Sequence, residues 1–300
     1  VQVSMSNYRI LIAGGGTGGH LFPALAIGEE IHRREPEAKI HYVGSTFGME
    51  ARVFPVKDVW HTLLPIRGFQ RGISFQSIGR NFLLPVRIIR SWLKMNSLIK
   101  DFVPQVVVGT GGYAAALPLY LASKRDKTLP IILQEQNSIP GITTRWFAEK
   151  AETICVAFNE AKDAINSETI LTGNPVRKDI TEGHREDGIK EYNFDEKSKT
   201  LFLFGGSQGS AYLNKMMDQV ASNIAGAGLQ ILWQTGDLEY VKYKHRDSSN
   251  IRVVPFIHNM ADSYAMADLI ICRSGALTLA EITVCGKPSI LVPFPAAAAD

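Results

Sequence analysis

Short apolar runs recur along the chain, separated by longer amphipathic stretches, and their spacing predicts alternating strands and helices. Arg9 to Ala13 is the first such run, of the kind a strand buried on both faces needs. Lys39 to Val43, Trp60 to Ile66, Gln105 to Gly109, Pro130 to Leu133, Thr153 to Ala157 and Ile170 with Leu171 repeat it. Strand and helix in alternation is the pattern of a parallel sheet covered on both faces. From Lys178 to Lys199 the chain becomes rich in charge and poor in apolar residues, and then the alternation restarts. Thr200 to Phe204, Leu229 to Trp233, Ile251 to Val254, Leu269 to Cys272 and Pro288 to Val292 read as strands, with helices over Ala211 to Ala225 and from Ala276. The expectation is an α/β protein of two domains, residues 1–176 and 177–300. A parallel strand normally hands over to a covering helix, and none follows Val292 before Asp300, so the chain is expected to be the truncated form of a longer one.

One segment departs from the pattern. Gly68 to Gly79 mixes glycines with Arg71, Phe69, Ile73 and Phe75, and Ile78 follows in the same chemistry up to Arg80. Asn81 to Lys100 then reads as a helix that carries Leu83, Val86, Ile89, Trp92 and Leu93 beside Arg87, Arg90 and Lys94, with Pro85 in its first turn. Two readings stay open: a core-facing helix with a basic solvent face, or an apolar surface with flanking arginines lying on an anionic membrane.

Composition narrows the classes. With 300 residues, 45% hydrophobic and 20% charged, the chain can bury substantial cores and suits two domains. A net charge of +3 is far from the basic stripe of a nucleic-acid binder, and no nucleic-acid partner is expected. Cys155, Cys272 and Cys285 are widely spaced in or beside apolar runs, without metal-ligand spacing, as buried thiols in a reducing compartment would be. Neither a signal peptide nor an apolar run of about 20 residues is present, so the expectation is a cytoplasmic protein, at most peripheral to a membrane.

The candidate chemistry lies at the ends of the strands. Gly14, Gly16 and Gly19 follow the first strand, and Pro23 is expected in the first turn of the helix behind them. Such a turn can aim backbone amides at an anion, can be a dinucleotide fingerprint, or can simply pack helix on sheet. The dinucleotide reading wants an acidic residue at the end of the second strand, where Gly44 and Ser45 stand instead. His20, directly after the glycines, is the best-placed group for proton transfer, with a packing or capping role as its alternative. Glycine turns recur at Thr110 to Tyr113 and at Gly205 to Ser210, a polar run Gln134 to Gly141 follows the strand at Leu133, and Arg273, Ser274 and Gly275 lead into the helix at Ala276. Glu281, in that helix, is a ligand candidate or a solvated carboxylate. The chain has neither the P-loop lysine nor an Asp-x-Asp pair, so a bound diphosphate would be neutralised by Ser207, the Ala276 helix start and Arg177.

The stretches GGGTGGHLFPALAIGEE, GTGGYAAALP, QEQNSIPG, TGNPVR, GGSQGS, FIHNMADSYAMADLIICRSGALTLAEI and PSILVPFP together resemble the MurG family of glycosyltransferases. The resemblance implies a GT-B fold, two Rossmann-like parallel-sheet domains facing across a cleft. It implies inverting transfer of N-acetylglucosamine from UDP-N-acetylglucosamine to the undecaprenyl-linked muramyl pentapeptide, lipid I, at the cytoplasmic face of the membrane; with no Asp-x-Asp pair in the chain no cofactor is expected, and stimulation by a divalent ion stays open. Residue by residue, it places Thr17, Gly18 and Gly19 at the donor sugar and His20 as a base at the acceptor hydroxyl. Asn137 would touch the N-acetylglucosamine, Arg177 the donor, Ser207 the diphosphate and Ile257, through its backbone, the uracil. Ala276, Leu277, Thr278, Leu279 and Ala280 would take phosphate and ribose, with Glu281 on the ribose, and Ile73 to Leu93 would face an anionic membrane. The family's glutamines beyond the PFP strand have no counterpart before Asp300. Two other readings are a UDP-sugar epimerase of the same fold and a non-catalytic binding module at the membrane.

Overall fold

The computed structural model describes residues 8–68, 84–125, 127–206 and 208–295, which divide into two compact units, one running to Pro175 and the other from Val176. Ser207, Ile73, Phe75, Ile78, Arg80 and Leu83 lie outside the described residues.

The first unit is built on seven parallel strands: β1 (Arg9–Gly14), β2 (Lys39–Ser45), β3 (His61–Leu64), β4 (Val106–Gly111), β5 (Ile131–Glu135), β6 (Thr153–Val156) and β7 (Thr169–Leu171). They lie in the order β3-β2-β1-β4-β5-β6-β7. The order reverses between β1 and β4, and ligands of open α/β sheets bind beyond the carboxyl ends of the strands at such a point. Leu11, Ile12 and Ala13 are fully buried, as an apolar run covered on both faces should be. Helices α1 (Gly18–Arg34), α2 (Glu50–Val56), α3 (Leu84–Phe102), α4 (Tyr113–Arg125), α5 (Ile142–Phe147) and α6 (Asn159–Asp163) connect the strands.

The second unit repeats the scheme with β8 (Thr200–Phe204), β9 (Gln230–Gln234), β10 (Ile251–Val254), β11 (Leu269–Arg273) and β12 (Ser289–Val292), in the order β10-β9-β8-β11-β12. Helices α7 (Arg185–Tyr192), α8 (Ala211–Gly226), α9 (Tyr240–Tyr243), α10 (Met260–Met266) and α11 (Ala276–Val284) flank it. Strand period decides its packing: Phe202 and Phe204 enter one core with Tyr264 and Ile282, whereas Leu201 and Leu203 enter the other with Trp233 and Leu213. The charged stretch after Lys178 forms a short 3-10 turn and α7, whose apolar residues Ile189 and Tyr192 join the first of these cores.

Two expectations need correction. Helix α1 starts at Gly18, so Pro23 is an interior residue rather than part of the first turn. Gly18 and Gly19, expected to stay in the turn, supply the first helical residues, while Gly15 and Gly16 keep the turn. In α3 the core side is Ser91, Met95, Ile99 and Phe102, while Val86, Ile89, Trp92 and Leu93 are exposed, Ile89 and Leu93 by 60% and 64%. The core-facing reading therefore fails for the apolar residues that suggested it. Among the described residues no helix is long and apolar enough to cross a membrane.

Candidate active site

In the first unit the site is built where β1 and β4 part. Their register shifts there: Ala13 pairs with Gly109 and Gly14 with Gly111, so Thr110 is an extra residue that leaves the ladder. Thr110 grips the start of α1 twice. Its hydroxyl donates to the His20 carbonyl at 2.7 Å, and its own carbonyl lies 3.0 Å from His20 Nδ1. Gln136 Oε1 lies 2.9 Å from the same nitrogen. A carbonyl oxygen only accepts, so His20 Nδ1 carries a proton, and in the neutral imidazole the lone pair is then on Nε2.

The glycine turns make this approach feasible. Gly111 and Gly112 have φ of +92° and +76°, and a Cβ on either would stand 2.9 Å from the His20 ring. A Cβ on Gly112 would also overlap the Gly15 carbonyl, so the turns after β1 and β4 are pressed together. Tyr113 closes one side: its ring would stand 2.6 Å from a Cβ on Gly16, and its hydroxyl donates to Ser45 Oγ at 3.3 Å. Burial pushes the Tyr113 phenol above its ordinary pKa, so the hydroxyl stays protonated.

Glu50 is the residue the sequence reading missed. The first residue of α2 is fully buried, and its carboxylate accepts from the Gly16 amide at 3.0 Å and the Ser45 amide at 2.7 Å. It props the first glycine turn from beneath. Gly15, Gly44 and Gly48 all surround this side chain so closely that a Cβ on any of them would overlap it. An acidic side chain five residues beyond the end of β2 is thus spent on the protein's own backbone.

Thr17, Gly18, Gly19 and His20 stand together at the start of α1, with Thr17 and Gly19 exposed. Asn137 reaches the same end of the sheet through its neighbour Gln136. Its backbone and side-chain amides both donate to Glu135 Oε1, at 3.0 and 3.2 Å. Glu135 Oε2 in turn accepts from the Gly141 amide and the Thr144 hydroxyl, so one buried carboxylate shapes the whole loop after β5.

The second unit gathers a different set. Glu281 is nearly buried in α11; its Oε2 accepts from the Tyr264 hydroxyl at 3.0 Å and its Oε1 stands 3.8 Å from Arg177 Nη2. Burial pushes the Glu281 carboxyl above the usual carboxylate range, against the pull of Arg177 and the Tyr264 hydroxyl. Ala276, Leu277, Thr278, Leu279 and Ala280 form the opening of α11, which follows Gly275 without a side-chain cap. First-turn amides have no acceptor within their own helix and lie at the positive end of its dipole. Ile257 is buried in the same core as Tyr264, and its amide donates to Gln234 Oε1 at 3.0 Å. Its backbone therefore offers only the carbonyl to a base. Gln234, at the end of β9, also donates to the Gly206 carbonyl at 2.9 Å and so ties the turn after β8 to the loop after β10. Arg273 fastens the neighbouring loops: its Nε donates to Ser210 Oγ, and its guanidinium lies over the rings of Tyr212 and Phe294.

Residues 10–156 match the glycosyltransferase family 28 N-terminal domain and residues 200–300 the family's C-terminal domain. The chain is 38% identical over 295 residues to the UDP-N-acetylglucosamine–N-acetylmuramyl-(pentapeptide) pyrophosphoryl-undecaprenol N-acetylglucosamine transferase of Christiangramia forsetii, covering 96% of this chain and 78% of that one. To the protein of the same description from Halalkalibacterium halodurans it is 35% identical over 293 residues, covering 96% and 79%. Among solved structures it resembles the MurG of Acinetobacter baumannii, with a TM-score of 0.63 and 26% identity over 96% of this chain and 79% of the other.

Proposed function

We propose a reaction and its residues from one premise: the chain belongs to glycosyltransferase family 28 and, within it, to the UDP-N-acetylglucosamine–N-acetylmuramyl-(pentapeptide) pyrophosphoryl-undecaprenol N-acetylglucosamine transferases. It moves N-acetylglucosamine from the UDP donor to the lipid-linked muramyl pentapeptide, making lipid II for peptidoglycan.

His20 is the base. Its Nε2 takes the proton of the acceptor hydroxyl as that oxygen attacks the anomeric carbon. The bond from this carbon to the β-phosphate breaks with its electron pair, UDP leaves, and the configuration inverts. The observation that carries this assignment is the pair of carbonyls on His20 Nδ1, which direct the imidazole lone pair to Nε2. Thr17, Gly18 and Gly19 bring backbone close to the sugar, and Asn137, braced by Glu135, contacts its acetamido group. Arg177 and the first-turn amides of α11 at Leu277 and Thr278 neutralise the leaving diphosphate, with Ser207 as a further donor, whereas the Leu279 amide is already given to the Gly275 carbonyl at 2.9 Å. Glu281 holds the ribose hydroxyls, and the Ile257 carbonyl meets the uracil.

His20→Ala tests the reading. Transfer of labelled sugar to a soluble lipid I analogue is expected to fall by about 10²-fold to 10⁴-fold with UDP affinity unchanged. An unchanged rate would remove His20 from the chemistry.

The same reading places the protein at the cytoplasmic face of the membrane. The exposed Ile89, Trp92 and Leu93 of α3, with Arg87, Arg90 and Lys94 beside them, support it. Each basic residue near an anionic surface contributes about 1 kcal/mol. Neutralising Arg87 and Arg90 together is expected to weaken binding to anionic vesicles by about 10-fold or more, and unchanged binding would remove α3 from the contact.

A further inference from the structure

We propose that Gln136 is a positioning residue that fixes the His20 imidazole as its Nδ1–H tautomer. The inference rests on His20 as the base and concerns what makes its Nε2 the basic nitrogen. Gln136 is only 3% exposed, one residue beyond the end of β5. Its amide nitrogen donates to the Thr110 carbonyl at 2.8 Å and the Gln134 carbonyl at 3.1 Å, and it also meets Gln134 Oε1. All three partners are oxygens that only accept, so the NH2 end must face them and Oε1 must face His20. Turning the amide over would set oxygen against three oxygens.

The brace continues one layer further. Gln134 Nε2 donates to Asn174 Oδ1 at 3.2 Å, and Asn174 Nδ2 donates to the Gln136 carbonyl at 3.1 Å. Gln134, Gln136 and Asn174 thereby link the ends of β5 and β7, and Gln136 Oε1 carries this network to the base. The Thr110 carbonyl asks for the same proton on the other side of His20 Nδ1. With two acceptors on Nδ1, the Nε2–H tautomer would leave lone pairs facing each other in a buried site.

A charge-neutral acceptor has a chemical consequence. When Nε2 takes the acceptor proton, the imidazolium keeps its Nδ1–H on the two carbonyls and no proton passes to Gln136. Orientation is supplied without a carboxylate beside the ring. Among the described residues, Tyr113 on α4, Glu50 on α2 and Glu135 on β5 also lie at this end of the sheet, and Arg67 is close enough to Tyr113 to act on its phenol. Glu50 and Glu135 are committed to backbone amides and, for Glu135, to the loop hydroxyl of Thr144.

The test uses the full chain, with long-range ¹⁵N spectra of its histidines assigned by comparison with His20→Ala, and with transfer kinetics. In the unsubstituted protein His20 is expected as the Nδ1–H form. Gln136→Met removes the acceptor and is expected to give mixed tautomers and a kcat lower by about 10-fold to 100-fold, with KM for UDP-N-acetylglucosamine within about 2-fold. Gln136→Glu puts its second oxygen before the same three acceptors and is expected to be held there as the carboxylic acid, an isostere that keeps an acceptor on His20 Nδ1 and recovers part of kcat. Finding His20 as Nε2–H in the unsubstituted protein, or wild-type kcat in Gln136→Met, overturns the proposal. Should Gln136→Met fail to fold, finding His20 as Nε2–H in the folded Gln136→Glu overturns it equally. Full activity in His20→Ala would instead remove the base assignment itself, which separates the two failures.

Discussion

The two units share a strand order, and they differ in what they put at the point where that order reverses. In the first, the turns after β1 and β4 are pressed together around an imidazole, with a buried carboxylate below one turn and a buried amide beside the ring. In the second, the turn after β8 packs against the turn after β9 instead: a Cβ on Gly209 would overlap the Thr235 carbonyl, and one on Gly236 the Gln208 carbonyl. The end of β11 there opens into a helix start, with Glu281, Tyr264 and Arg177 gathered behind it. On the proposed reading, one unit holds a proton acceptor in a fixed orientation, and the other offers a helix start and a carboxyl group to a nucleotide diphosphate and its ribose. The same topology would then serve two tasks, because the site lies in the loops while the sheets only position them.

Substitutions can break this contrast in graded steps. The largest stability effect is expected at Gly112→Ala, where a positive φ combines with overlap on Gly15 and on the His20 ring. A loss of about 3 kcal/mol or more in urea unfolding is expected, with activity abolished. Gly173→Ala is its control in the same unit: φ is +75° but nothing lies within 4 Å of the new Cβ. A loss of about 1 kcal/mol is expected there; equal losses at the two positions would show that crowding between the turns matters little.

Glu50→Gln comes next. It turns an amide donor towards the amides of Gly16 or Ser45, and a loss of about 1 to 3 kcal/mol is expected, with kcat falling as the turn loosens. In the second unit, Tyr264→Phe removes the hydroxyl from Glu281. Calorimetry is expected to show UDP affinity down by about 5-fold to 10-fold, with kcat at saturating donor unchanged.

Acid should separate the units too, through small opposing effects. His41, a buried residue of β2 with its Nδ1 unpartnered among the described residues, has its pKa held down to about 4, mainly by desolvation. Its contribution to stability is full above the unfolded value of 6.5 and is lost as pH falls towards about 4. Glu281 has the opposite sign: its raised folded pKa favours the native state below 4.5 and loses that contribution as pH rises through the folded value. Hydrogen exchange compared at pH 7 and pH 5 should therefore show the first unit weakening more than the second, and His41→Leu should reduce the difference.

Much of the architecture was legible because apolar runs and amphipathic stretches are local patterns. Arg9 to Ala13 and Thr200 to Phe204 announce their burial within five residues each. Boundaries were harder, since glycine fits turn and helix alike; Gly18 and Gly19 read as turn and fold as the start of α1. The histidine was legible from its place behind the glycines. Its partner was not: Gln136 lies 116 residues away, and Glu50 stands 34 residues from the amide it supports. Contacts at such separations are set by strand order, which no local period reveals. The three glycines around Glu50 were a trace of it, visible only once the fold brings them together.

The division of labour between the units is tested most directly by one crossed measurement: UDP affinity and kcat in His20→Ala and Glu281→Gln. The account predicts that His20→Ala binds UDP as the unsubstituted protein does and loses about 10²-fold to 10⁴-fold in kcat. Glu281→Gln is predicted to lose UDP affinity by about 10-fold or more while keeping most of its kcat at saturating donor. If His20→Ala weakened UDP binding as strongly as Glu281→Gln, or if the Glu281 variant lost only kcat, the assignment of chemistry to one unit and nucleotide binding to the other would be contradicted.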